Sequence, residues 1–213
     1  YTSPHTLSLH DALPILGGKD PAIILPSANL EDAADAILRG SVVASGQVCL
    51  SLERVYVHES CHDAFVDLLT GKARQVQLNY PDIDRGDLGP LIFARQADII
   101  DEHLDDAVAK GATIACGGKT RNLGGGRYCE ATVLTNVNHT MKVMTDETFG
   151  PVIPVMAFRT VDEAVALAND SEYGLSAAVF AATLDEARAV GERINAGGIS
   201  LNDAALTRET YEA

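Results

Sequence analysis

The sequence contains no tryptophan, and aromatic residues make up only 5% of its 213 residues. Any core must therefore rest on aliphatic side chains. No apolar run approaches the ~20 residues that a membrane-crossing helix needs. Positive charge is scarce: 16 Lys and Arg face 30 Asp and Glu, a formal charge of −14. Phosphate backbones are held by a surplus of Lys and Arg, so a nucleic-acid partner is not expected. The acidic excess reads instead as a solvated surface. Four cysteines, Cys49, Cys61, Cys116 and Cys129, form no CxxC pair and no zinc-finger spacing. With no basic-then-apolar leader, they read as reduced thiols of a cytoplasmic protein. Gly124-Gly125-Gly126 lacks both GxGxxG and the Lys-Ser/Thr of a phosphate loop, so it is read as a turn.

What is present is an alternation of strand and helix. Ala22-Ile23-Ile24-Leu25 is a buried-strand run closed by Pro26. Asn29 can cap a helix, and Leu30, Ala33, Ala34, Ile37 and Leu38 recur on one face of it. Arg54 to His58 is β-rich, and Ser60 with Asp63 predicts the next helix start, carrying Phe65, Leu68, Leu69 and Val76. The stretch from Asn79 to Gly89 is rich in Asp, Pro and Gly and reads as loop. Phe93, Ala97, Ile100, Leu104, Ala107 and Val108 predict a third helix, stopped at Gly111, and Thr113 to Cys116 a strand.

Near the C-terminus a unit repeats. Val155 to Phe158 leads to Thr160 and Glu163, and Ala178 to Phe180 leads to Thr183 and Glu186, each a strand feeding a helix with a capping box. Gly198 to Asn202 supplies a further strand. Such alternation implies parallel pairing, so the expected fold class is α/β, a mostly parallel sheet flanked by helices.

Three groups of residues could carry chemistry. His58-Glu59-Ser60-Cys61-His62 matches HExxH, which works only when one helix sets both histidines on one face. Here His58 falls in a strand pattern and His62 in a helix, so metal binding is not expected. Cys49 lies on the turn joining the first helix to the strand at Arg54. It reads either as a nucleophile presented to a pocket or as a small buried hydrophobe. Glu147 beside Phe149 reads either as an acid, base or ligand clamp, or as a structural carboxylate.

Four strings in register sharpen these readings: Leu16-Gly17-Gly18-Lys19; Gly46-Gln47-Val48-Cys49 followed by Arg54-Val55-Tyr56-Val57; Glu147-Thr148-Phe149-Gly150-Pro151-Val152; and Ala168-Asn169-Asp170 with Tyr173-Gly174-Leu175. Together they resemble the NAD(P)-dependent aldehyde dehydrogenases, as a fragment of the catalytic domain. The resemblance implies oxidation of a small-molecule aldehyde to a carboxylic acid with NAD or NADP. Cys49 would be the nucleophile, passing through a thiohemiacetal and a thioester. Glu147 would bind the nicotinamide-side ribose, Phe149 would pack near the nicotinamide, and the backbone at Leu16 would border that ring. Val48 and Leu50 would line the aldehyde pocket, and Asn169 would organise a loop. A homo-oligomeric parent is implied, with neither membrane nor nucleic acid as partner.

The resemblance also sets boundaries: residues 1–15 a non-family segment, 16–203 the catalytic domain, and 204–213 a truncated tail. The first segment resembles a translated sequencing adapter joined to a gene fragment; a divergent natural N-terminus is the second reading. The family's water-activating glutamate belongs where Ile15 stands, and its nucleotide-binding half lies outside this sequence. The chain alone is therefore expected to be inactive. The alternative from another class is a non-catalytic α/β module in which Cys49 is buried and structural.

Overall fold

Short apolar runs between turn signals fold as the strands of one sheet. The computed structural model describes residues 17–204; Leu16, Ile15 and the polar tail from Thr207 lie outside that range. The chain runs β1 (Asp20–Ile24), α1 (Leu30–Val42), β2 (Leu52–His58), α2 (His62–Ala73), α3 (Arg95–Ala109), β3 (Thr113–Cys116), β4 (Thr120–Leu123), β5 (Gly126–Cys129) and β6 (Thr132–Thr135). It continues through α4 (Lys142–Thr145), β7 (Val152–Phe158), α5 (Val161–Asn169), β8 (Ser176–Phe180), α6 (Leu184–Gly191) and β9 (Gly198–Leu201). Seven strands form one sheet in the order β3-β6-β7-β2-β1-β8-β9, and β4 pairs with β5 apart from it. Every neighbouring pair in the large sheet is parallel except β3 with β6.

The pleat divides the core into two layers, because successive strand side chains point to opposite faces. Ala22, Ile24, Val55 and Val57 join Phe65, Leu69 and Ile37 beneath α1 and α2. Ile23, Tyr56 and Val179 join Ile100, Leu104, Phe158 and Ala164 beneath α3, α5 and α6. Both faces are covered, which is why β1 reads as a continuous apolar run and not as an alternation.

Local signals decide most helix starts. Asn29 accepts from the N–H groups of Glu31 and Asp32 at the head of α1. Thr160 and Thr183 accept from Glu163 and Glu186 at the heads of α5 and α6. The two boxes are only half closed, because Glu163 turns to the Arg159 N–H and Glu186 to the Ser27 hydroxyl.

Several expectations need correcting. Ser60 caps nothing: its hydroxyl pairs with His58 Nδ1, and Cys61 holds the cap position of α2 without a side-chain bond. Phe93 precedes α3 and is 63% exposed, and Val108 lies off the buried stripe of Ala97, Ile100, Leu104 and Ala107. Val76 falls beyond the end of α2. Strands β4, β5 and β6 and the single turn α4 carry too little periodic pattern to be read from sequence. The glycine triplet is the turn of the β4–β5 hairpin, with Gly124 and Gly125 at φ +58° and +88°, the two left-handed positions that favour glycine.

Candidate active site

Each of the four strings stands at or just before the start of a strand: β1, β2, β7 and β8, which are neighbours in the order β7-β2-β1-β8. Parallel pairing puts all four strand starts on one end of the sheet. Segments 129 residues apart in sequence, such as Gly18 and Glu147, therefore converge without any unusual loop.

The turn carrying Cys49 is tightly built. Ala44, Ser45 and Gly46 stand in succession at φ +51°, +59° and +72°. Two of these have side chains, and such a backbone costs about 1–2 kcal/mol per residue. Its compensation is local: Ser45 Oγ donates to the Gly89 carbonyl at 2.9 Å, and the Ile92 N–H donates to Gln47 Oε1 at 2.8 Å. A side chain on Gly46 would lie 2.3 Å from the Gly150 carbonyl oxygen, and one on Gly18 would lie 1.8 Å from the Cys49 carbonyl oxygen. The turn is thus clasped between the Gly17-Gly18 and Phe149-Gly150 segments, an approach open only to glycine.

On this turn Cys49 is exposed, whereas Cys129 is buried and Cys61 and Cys116 are half-buried. The alternative of a sealed, structural Cys49 is thereby corrected: strained backbone and glycine contacts hold the turn at the rim of the sheet, outside both cores. Burial pushes the Cys129 thiol up to about 12 and raises Cys61 and Cys116 as well. Val48 and Leu50, on either side of Cys49, line a cavity of about 30 Å³ with Gly40, Ser176 and Ala204, room for one water.

Glu147 is half-buried, and its Oε1 accepts from the Gly18 N–H at 2.8 Å. Desolvation raises its carboxyl above the usual range, and the Gly18 N–H partly opposes this. Its Oε2 faces Gly17 beside the Tyr173 ring. Phe149 is half-buried at φ +49°. Leu16 lies outside the described residues. Asn169 organises a loop: its amide donates to the Arg193 carbonyl at 3.0 Å and accepts from the Asn195 N–H at 2.8 Å. His58 ends β2, with Nε2 against the Arg159 carbonyl, and His62 opens α2 beside Asp63. The two share no helix face. Among the described residues no group of three or more His, Cys, Asp or Glu is set to hold a metal, and no helix is long and apolar enough to cross a membrane.

Behind this rim lies a polar network that the sequence reading missed. Lys19, fully buried, donates to Glu53 Oε2 at 2.7 Å and to Thr148 Oγ1 at 3.0 Å. Glu53 also accepts from the Thr148 and Phe149 N–H groups, at 2.7 and 2.8 Å. Burial lowers the Lys19 ammonium from its ordinary value, with Glu53 opposing. Arg54 donates to the Lys19 and Ala168 carbonyls at 2.7 and 3.1 Å, tying the first string to the last. Asp20 is 1% exposed; its Oδ2 takes the Ser176 hydroxyl and its Oδ1 has no partner. Desolvation pushes its carboxyl up to about 7. The available signal was charge abutting apolar strands: Lys-Asp just before Ala22, and Glu-Arg inside β2.

A profile of the aldehyde dehydrogenase family matches residues 8–212. The chain belongs to the aldehyde dehydrogenase family. It is 40% identical over 200 residues to lactaldehyde dehydrogenase of Escherichia coli strain K12, covering 93% of this chain and 40% of that protein. A solved structure of PutA from Anabaena variabilis is 60% identical with a TM-score of 0.90, over 92% of this chain and 42% of that one. The NADP-dependent glyceraldehyde-3-phosphate dehydrogenase of Bacillus halodurans C-125, solved complexed with NADP, is 35% identical with a TM-score of 0.82, over 88% of this chain and 38% of that one. The chain spans about two-fifths of the length of these relatives.

Proposed function

We propose that this chain is the catalytic part of an NAD(P)-dependent aldehyde dehydrogenase, with Cys49 as its nucleophile. The observation that carries the reading is the clasped, strained turn that holds Cys49 exposed beside Gly18 and next to the segment bearing Glu147. Backbone strain gathers where a fold holds a reacting group in place.

The Cys49 thiolate attacks the aldehyde carbon, forming a carbon–sulfur bond and a thiohemiacetal whose oxyanion needs hydrogen-bond donors. Val48 and Leu50 flank Cys49 in sequence, and their alkyl side chains suit the hydrocarbon part of an aldehyde held at the exposed turn, outside the one-water cavity they line. The residues at the rim fit a nicotinamide cofactor: Glu147 has one oxygen fixed by Gly18 and a second facing Gly17, an acceptor suited to ribose hydroxyls. Phe149 completes the contact to the ring. The cofactor, when bound, supplies the acceptor for the aldehyde hydride. Release of the acid from the resulting thioester at Cys49 needs an activated water. Ile15 stands where the family's water-activating glutamate belongs, and an alkyl side chain takes no proton. The chain alone therefore acylates without turning over. A reducing compartment such as the cytoplasm suits this reading, because the reaction needs the Cys49 thiol free.

The test is incubation of the chain with p-nitrophenyl acetate, with the acyl group mapped by mass spectrometry. Acetyl on Cys49, lost in Cys49→Ser, and no sustained NADH production from NAD+ with small aldehydes are expected. Acetyl spread evenly over the cysteines, or steady NADH production, would overturn the reading.

A further inference from the structure

The buried pair Lys19–Glu53 is far from idle. A carboxylate at 1% exposure that accepts from one ammonium and two backbone N–H groups is committed to one task. Those two N–H groups belong to Thr148 and Phe149, which lie on a loop before β7 and have no strand partner. Taking both at once curls the backbone, and Phe149 stands at φ +49°, a conformation that residues with side chains rarely adopt. The same loop is held from its other side. Gln96 donates to the Thr148 carbonyl at 2.7 Å, and the Thr148 hydroxyl lies 3.1 Å from His103 Nδ1, itself buried. Glu147 leaves the end of this loop and reaches Gly18. Lys19 is the residue after Gly18, so the cation that holds Glu53 also fixes the segment before β1 that receives Glu147.

We propose that Glu53 is a positioning residue: its carboxylate, held by Lys19, gathers the Thr148 and Phe149 N–H groups and so sets Glu147 and Phe149 toward the cofactor. The loop geometry belongs to Glu53 whatever binds there; the cofactor clause rests on the function proposed above. Two oxygens are essential to this role. The Thr148 N–H meets Oε2 and the Phe149 N–H meets Oε1, so a glutamine sets its acceptor oxygen at one of these places and a donor amide group at the other. Losing one of the two bonds opens one loop amide to solvent, roughly tenfold in exchange rate for a bond of ordinary net strength.

The experiment is residue-resolved amide hydrogen exchange on the 213-residue chain, the Glu53→Gln variant and the Lys19→Met/Glu53→Gln pair. In the unaltered chain, Thr148 and Phe149 are expected to exchange as slowly as the amides of β7. Exchange as fast as in the exposed stretch 82–86 would overturn the proposal without any variant. Glu53→Gln leaves a buried cation unpaired and lowers the melting temperature. The double variant removes that cation and recovers the melting temperature, yet Thr148 or Phe149 still exchanges about tenfold faster than in the parent. Recovery of both loop amides in the double variant would reduce Glu53 to a structural ion pair and sink the proposal. Nicotinamide mononucleotide at millimolar concentration separates the two claims. Shifts at residues 147–149 that vanish in Glu147→Ala support the cofactor reading. Slow loop amides without such shifts would leave the loop role intact and defeat the cofactor clause.

Discussion

At the scale of single residues, Asp20 contributes the least expected chemistry. Its carboxyl is buried beside the Gly18 segment that clasps the Cys49 turn, with one oxygen on the Ser176 hydroxyl and the other unpartnered. Desolvation pushes it up to about 7, whereas an unfolded aspartate titrates near ~3.9. The folded chain thus holds the proton more tightly between these values. Stability is fully present below pH ~4, falls as pH rises toward 7, and stays lower above it. Asp20→Asn removes the ionisable group and keeps an oxygen for Ser176. It should stabilise the chain at pH 8 by roughly 2–4 kcal/mol, a gain that shrinks toward pH 4. Thermal melts across this range check it, and parallel pH profiles for parent and variant would refute it. Neither Asp20 nor Glu53 was legible beforehand. A charge beside an apolar run looks the same whether it points to solvent or, as here, into a network closed by residues more than 90 positions away.

At the scale of elements, legibility followed length and period. Helix α1, with its Asn29 cap and apolar stripe, and the strand-to-helix units β7–α5 and β8–α6 stand where the pattern put them. Four-residue strands such as β6 offer no more than two side chains to a face and leave no period to read. The Cys49 turn was legible at Gly46 alone. Nothing in Ala44 or Ser45 announces a left-handed backbone, because bonds to Gly89 and between Gln47 and Ile92 impose it. The clasp can be tested with two glycines of opposite character. Gly18→Ala puts a methyl 1.8 Å from the Cys49 carbonyl oxygen, while Gly71→Ala, inside α2, meets nothing within 4 Å. Gly71→Ala should stabilise by about 0.5–1 kcal/mol. Gly18→Ala should cost more than about 2 kcal/mol and change the labelling rate of Cys49. Denaturant titrations check both; equal effects would mean that the turn is not clasped.

At the scale of the whole molecule, the parallel sheet explains why four short strings come together in space. Their shared position at the starts of β7, β2, β1 and β8 turns sequence order into spatial adjacency. Two covered faces supply the rigid base, and the rim carries the residues of the proposed site. The central claim is that the sulfur of Cys49 alone among the four is offered at that rim. Iodoacetamide labelling of the folded chain, followed cysteine by cysteine with mass spectrometry, tests it most directly. The account predicts that Cys49 labels first and faster as pH rises, that Cys61 and Cys116 lag, and that Cys129 labels only on unfolding. Labelling of Cys49 as slow as that of Cys129 would contradict it.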